Sequence, residues 1–153
     1  MLLRFIGSTA QSAEAQAAYA VGYTELFSLV TWTSVGLMGA AATVAGQNLG
    51  AGYPERSRLA VRHAARIGLG IAITVGVLFV AIPAQLLGLF GMDDPDVVRI
   101  GRTLLAYLSV SGLFITVALT FTGGLQGTGD TRSPLFITLA SQFALPIGYL
   151  TFV

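Results

Sequence analysis

The chain has 153 residues, 54% of them hydrophobic and 10% charged, with a formal net charge of +1. A soluble domain carries about 25% charge, so eight Arg and seven acidic residues are too few to clothe one of this size. The small net charge gives no electrostatic footprint for nucleic acid, the absence of cysteine excludes disulfides and thiolate chemistry, and a single His63 among arginines excludes a His-rich metal site.

The first residues, Met1 to Ile6, are apolar but interrupted by Arg4. That is shorter than the roughly 7–15 residues of a signal-peptide core. Residues 1–13 instead look like the last turns of an earlier apolar helix. Beyond them, no charge occurs from Leu26 to Pro54, from Ile67 to Met92, from Thr103 to Gly129, or from Ser133 to Val153. Each gap reaches about 20 residues, the length that spans a hydrocarbon core as a helix. Backbone groups in lipid must be satisfied within the segment, and the alternating pattern of a barrel strand is missing. The spacing predicts an all-α, polytopic transmembrane helix bundle with spans of about 17–47, 64–89, 98–123 and 132–153.

Charge between the spans predicts their orientation. The first junction holds Arg56, Arg58, Arg62 and Arg66 against Glu55. The second holds Asp93, Asp94 and Asp96, with Arg99 and Arg102 on its far side; the third holds Asp130 and Arg132. The most basic junction is assigned to the cytoplasm. Loops 50–63 and 124–132 are then cytoplasmic and loop 90–97 lies outside, in a multi-pass protein of the cell inner (plasma) membrane. Within the spans, Gly36, Gly39, Ala40, Ala42, Ala45, Gly46, Gly68, Gly70 and Gly76 allow close helix packing, and Pro83 and Pro146 predict kinks. The chain stops at LPIGYLTFV while still apolar, which predicts a fragment or one part of a longer gene product.

GQNLGAGYPERSRLAVRHAAR, Gly46 to Arg66, has the glycines and the basic residues of a phosphate loop. It lacks the lysine and the strand-to-helix setting that such a loop needs. As a helix-ending turn it is well formed: Gly50 and Gly52 suit positive φ at a C-terminus, and Pro54 suits the first position of the next helix. GLQGTGDTRSP repeats this chemistry. Gly127 and Gly129 break the third helix, Asp130 or Ser133 caps the fourth, Pro134 sits in its first turn, and Arg132 with Asp130 fixes the turn.

AAATVAGQNLGAGYPERS (Ala40–Ser57) and GGLQGTGDTRSP (Gly123–Pro134), two apolar spans apart, resemble signatures of the multidrug and toxic compound extrusion (MATE) family, and AQAAYAVGY (Ala15–Tyr23) resembles the opening of the corresponding helix. The resemblance covers nearly the whole chain. It implies part of the second lobe of a twelve-helix transporter: the end of helix 7 at about 1–13, helices 8 to 10, and most of helix 11. It further implies export of small cationic or amphipathic compounds in exchange for H⁺ or Na⁺ by alternating access, with the lipid bilayer and the absent first lobe as partners. Gly46, Gln47, Gly50, Gly52, Gly127, Gly129, Asp130 and Arg132 are then motif and hinge positions.

Glu25 is the carboxylate singled out, because acidic residues inside spans are costly and mark ion or substrate paths; an interfacial Glu facing water is the alternative. Tyr23, Phe27, Trp32 and Gln47 are candidates for a cleft that holds cationic aromatics, against an interfacial belt or ordinary packing. Thr31, Thr33, Ser34 and Thr43 are candidates for hydrogen bonds across helices, with packing as the default. No Ser/His/Asp set, paired carboxylates within a span or metal cluster is present, so no enzyme and no cofactor is expected. The competing readings are a flippase of lipid-linked saccharides from the same broad fold group and a non-transporting membrane subunit or remnant. The flippase calls for a cationic cavity, whereas seven of the eight arginines lie in or beside the junctions.

Overall fold

The structure is a computed structural model and describes residues 12–140. Helix α1 (Ser12–Tyr19) runs through a π-helical stretch (Ala20–Leu26) into α2 (Phe27–Gly50). Then follow α3 (Pro54–Ala81), the short α4 (Pro83–Gly88), α5 (Pro95–Gly127) and α6 (Arg132–Leu139). No strand occurs among the described residues. Three continuous helices, Ala15–Gly50, Pro54–Ala81 and Pro95–Gly127, are long and apolar enough to cross a membrane. The shortest of them has 28 residues. At about 1.5 Å per residue it reaches about 42 Å, beyond a hydrocarbon core of about 30 Å.

Helices α2 and α5 run parallel, with α3 antiparallel to both. Contacts step in register along the first pair, from Gly22 beside Leu104 through Gly112 beside Val30 to Gly46 beside Gly127. They step in opposite order along the second, from Gly76 beside Ser109 to Gly124 beside Val61. Both glycine junctions therefore lie at one end of the bundle, and the 89–94 junction lies at the other.

The three junctions share one helix stop. Gly52, Gly91 and Gly129 have φ of +82°, +71° and +89°. In each, the N–H of the residue after that glycine reaches back across the last turn: Tyr53 to Asn48 O at 2.8 Å, Met92 to Leu87 O at 3.2 Å, Asp130 to Leu125 O at 3.0 Å. This is the Schellman motif, which satisfies carbonyls the helix leaves open and needs one left-handed residue. Gly50 and Gly127 are thus not the residues that break their helices. Both remain helical, because only the position after the cap requires positive φ.

The starts are also defined. Pro54, Pro83 and Pro95 each open a helix, where a missing N–H costs nothing. Pro83 does more than kink a span. Ile82, at φ -132° and ψ 44°, leaves the helical region, so α3 ends and α4 begins. The residue before a proline is pushed out of that region by the ring. Asp94 caps α5 through Oδ1, which accepts from the N–H of Asp96 at 2.8 Å and of Val97 at 3.3 Å. A side-chain acceptor there satisfies donors that the first turn leaves open. At the start of α6 the Asp130 carboxylate accepts from the Ser133 hydroxyl at 2.6 Å and its N–H at 3.0 Å. These bonds, with one from the Arg132 backbone, hold its pKa below the ordinary value, because they favour the charged form. Arg132 contributes its backbone to that turn, and its side chain makes no ion pair among the described residues. Pro146, the residues before Ser12 and the last part of the expected fourth span lie outside the described residues.

The packing changes character along the bundle. At the α4 end, Val21, Leu26, Phe27, Val30, Phe79, Leu87, Leu105 and Leu108 form an apolar core. In the middle, the Ser34 and Thr116 hydroxyls meet at 2.8 Å across α2 and α5, and both are buried. Gly68 of α3 leaves room for Thr116 there. At the glycine-junction end the contact is backbone to backbone: Gly123 lies on the Met38 carbonyl and Gly127 on the Ala42 carbonyl. Residues 38, 42 and 46 on α2 and 123 and 127 on α5 form a close-packed seam, the form of contact by which helices associate in lipid.

A candidate transport face on the second helix

Two sides of the candidate residues' helix behave differently. The side toward α3 and α5 carries Phe27, Val30, Ser34, Ala41 and Ala45, all buried. Away from it, Glu25, Leu29, Trp32, Gly36, Gly39, Thr43 and Gln47 are exposed. From Leu29 to Gln47 the spacing of three and four residues makes one continuous stripe, and Glu25, exposed near the end of the π-helical stretch, extends it. Trp32 is 73% exposed, the second-largest fraction among the exposed large apolar side chains. Added Cβ atoms at Gly36 and Gly39 would meet nothing within 4 Å. These glycines are not used in packing among the described residues, unlike Gly46.

The stripe joins three of the five candidate path residues, Glu25, Trp32 and Gln47. Phe27 does not belong to it: its ring is 3% exposed and packs in the core, against Gly112. Tyr23 sits between the two settings, half exposed, in a ladder of rings. Its centroid is 5.2 Å from Tyr19 and 5.7 Å from Phe27. The π-helical stretch lies under this ladder. Its wider turn changes the facing of residues upstream of Phe27 relative to an unbroken α-helix, and such stretches recur at functional sites. No local signal in Ala20–Leu26 announces the change.

Within the described residues the Glu25 carboxylate has no ion-pair or hydrogen-bond partner; its backbone carbonyl accepts from Ser28. The polar residues around it are turned inward on the helix. Thr31, Thr33 and Thr43 donate to carbonyls four residues back. Of the four hydroxyl residues named as candidates for contacts across helices, Ser34 alone makes one, to Thr116. Of the motif positions, Gly46, Gln47 and Gly50 occupy the far end of the same helix, Gly52 the turn after it, Gly127 the end of α5, Gly129 and Asp130 the next turn, and Arg132 the start of α6. Gly46 approaches Gly127, so a Cβ there would come within 2.5 Å of the Gly127 carbonyl oxygen. No group of three His, Asp or Glu that could hold a metal exists among the described residues.

The stripe is thus an apolar helix face bearing one carboxylate, one indole and one amide. The family model of MatE matches residues 1–150. The chain belongs to the MatE family. Curated relatives of this MatE chain carry names that agree. A probable multidrug resistance protein NorM of Thermotoga maritima is 28% identical over 140 residues, 90% of this chain and 30% of the relative. A second probable NorM, of Pasteurella multocida, is 32% identical over 73% of this chain and 25% of its own. The multidrug resistance protein MdtK of Edwardsiella ictaluri is 31% identical over 74% of this chain and 25% of its own. The MatE chain spans about 30% or less of the length of these relatives. No solved structure matches it. Membership, the all-α fold and the three apolar helices together make this a multi-pass membrane protein of a transporter family.

Proposed function

We propose that this chain supplies part of the second lobe of a multidrug efflux antiporter, with the uncovered face of α2 lining its substrate path. The observation that carries the reading is the stripe itself: Glu25, Trp32 and Gln47 stand on one helix face that no other described element covers. A carboxylate inside an apolar span is costly unless it faces a cavity or partner. An exposed indole above small residues offers a flat surface for a cationic aromatic compound. The relatives' names support drugs as the cargo. Exchange for H⁺ or Na⁺, and rocking against a first lobe by alternating access, are part of the proposal. So is the orientation, with both glycine junctions cytoplasmic, supported by five arginines near those two junctions against two, Arg99 and Arg102, near the opposite end. The flippase reading gains nothing from this face, since none of the described arginines lies on it.

The test is Glu25→Gln in the gene product as natively expressed, measured by efflux of a cationic dye from membrane vesicles under an imposed ion gradient. Loss of a charge partner in a desolvated path predicts at least about a tenfold drop in dye transport, the equivalent of about 1.4 kcal/mol. Transport indistinguishable from the unaltered protein removes Glu25 from the path.

A further inference from the structure

At the glycine-junction end a groove of about 420 Å³ opens between the end of α2, the start of α3 and the end of α5. Arg58 and Arg62 stand at its wall, one turn apart on the same helix face. Leu49, Val61, Phe121 and Leu125 are the larger apolar side chains of its lining, and Ser57 and Thr128 add hydroxyls. Phe121 and Leu49 are 45% and 40% exposed, so apolar surface faces the groove rather than the core.

We propose that this groove is a binding site for an anionic phospholipid, with the phosphodiester at Arg58 and Arg62 and an acyl chain along Phe121. Three observations converge. First, the groove lies where three long apolar helices meet their junctions, the depth of the head groups. Second, its lining combines two guanidinium groups from α3 with the apolar side chains Leu49 of α2 and Phe121 and Leu125 of α5. A free phosphate would use only the first. Guanidinium groups pair bidentately with phosphate oxygens, and basic pockets between transmembrane helices hold anionic head groups. Third, the cations are available. Arg62 has no ion pair among the described residues. Arg58 meets Glu55 at 3.3 Å, with side chains 71% and 78% exposed. An exposed pair of that kind contributes little. Arg56, by contrast, is laid over the Tyr53 ring at 4.7 Å. The site depends only on the chain being in a membrane and is independent of the transport reading.

The experiment is native mass spectrometry of the full chain in detergent, offered phosphatidylglycerol or phosphatidylcholine with identical acyl chains, with sodium phosphate as competitor. The site predicts retention of phosphatidylglycerol over phosphatidylcholine, not displaced by phosphate. Each arginine near an anionic head group is worth about fivefold, so Arg58→Gln with Arg62→Gln lowers retention about thirtyfold. Phe121→Ala weakens it, and Arg99→Gln with Arg102→Gln, at the other end of the bundle, leaves it unchanged. Equal retention of the two lipids, equal loss in both arginine pairs, or displacement by phosphate each overturns the proposal, the last by making the site one for a free anion. Should the Arg58/Arg62 variant lose helicity by circular dichroism, Arg62→Gln alone, at about fivefold, carries the test.

Discussion

Substitution of Gly127 by Ala tests the seam that joins α2 to α5. A Cβ on Gly127 would lie 2.5 Å from the Ala42 Cα and 2.6 Å from its carbonyl carbon, and closer still to its oxygen. Ordinary contact begins near 3.4 Å. The obstacle is helix backbone on both sides, so no rotamer change relieves it and the helices must part by roughly an ångström. A gap of that size forfeits about a quarter to a half of the dispersion energy along the seam, and overpacking costs about 1–3 kcal/mol. Alanine's better helix propensity returns up to about 1 kcal/mol. The net expectation is about 1–2 kcal/mol of lost stability, a factor of roughly 5–30 in the folded ratio. Because the chain has no cysteine, fluorophores on Leu49→Cys and Leu125→Cys, both beside the groove, report the separation of α2 and α5. Energy transfer is followed through a titration with dodecyl sulfate. Gly39→Ala is the control, since nothing lies within 4 Å of its added methyl; it is expected to be neutral or slightly stabilising. If Gly127→Ala destabilises no more than Gly39→Ala, the backbone seam does not hold these helices together.

The buried hydroxyl pair offers a second expectation. A double-mutant cycle of Ser34→Ala and Thr116→Val, read by the same titration, should give a coupling of about 0.6 kcal/mol, the average for such bonds between membrane helices. Zero coupling would mean the 2.8 Å contact contributes nothing of its own. The Asp130 cap makes the start of α6 pH-sensitive. Hydrogen bonds from Ser133 lower the folded pKa of this carboxyl below its ordinary value of 3.8. Its contribution is therefore fully present above the ordinary value and is lost as pH falls through the lowered one. Amide-exchange protection at Ser133 should hold down to about pH 4 and then decline. It should lose that dependence in Asp130→Asn. A decline that begins well above about pH 5 would assign the cap to another group.

Much of the molecule was legible from charge and length. The uncharged runs located the long helices, and Gly, Pro and Asp marked their ends. The detail was less legible. The second uncharged span is read from about residue 64 and its helix from Pro54; α3 begins at Pro54, because arginines continue a helix readily outside the hydrocarbon. In the first junction two glycines looked equivalent, and backbone geometry needed only Gly52 in the left-handed region. Gly123 carried no mark of its own beyond a GxxxG spacing with Gly127, yet it meets the Met38 backbone. The Asp94 cap is signalled by an Asp directly before Pro95, within a run of junction aspartates that charge alone does not tell apart.

The sequence by itself determined that this chain lives in a bilayer, that it is helical, that glycine turns near residues 52 and 129 separate its helices, and, through two glycine-rich motifs at their spacing, its family. These are properties of length, charge and single-residue backbone preference, all readable along one dimension. Only the tertiary structure decided that, among the described residues, Phe27 is core while Trp32 is bare, Ser34 is the hydroxyl on its helix that crosses to α5, and Gly46 packs while Gly36 and Gly39 do not. Those distinctions depend on which helix face meets which neighbour. A π-helical stretch changes that facing, and in a uniformly apolar segment the hydrophobic pattern does not distinguish lipid from protein, since both are apolar.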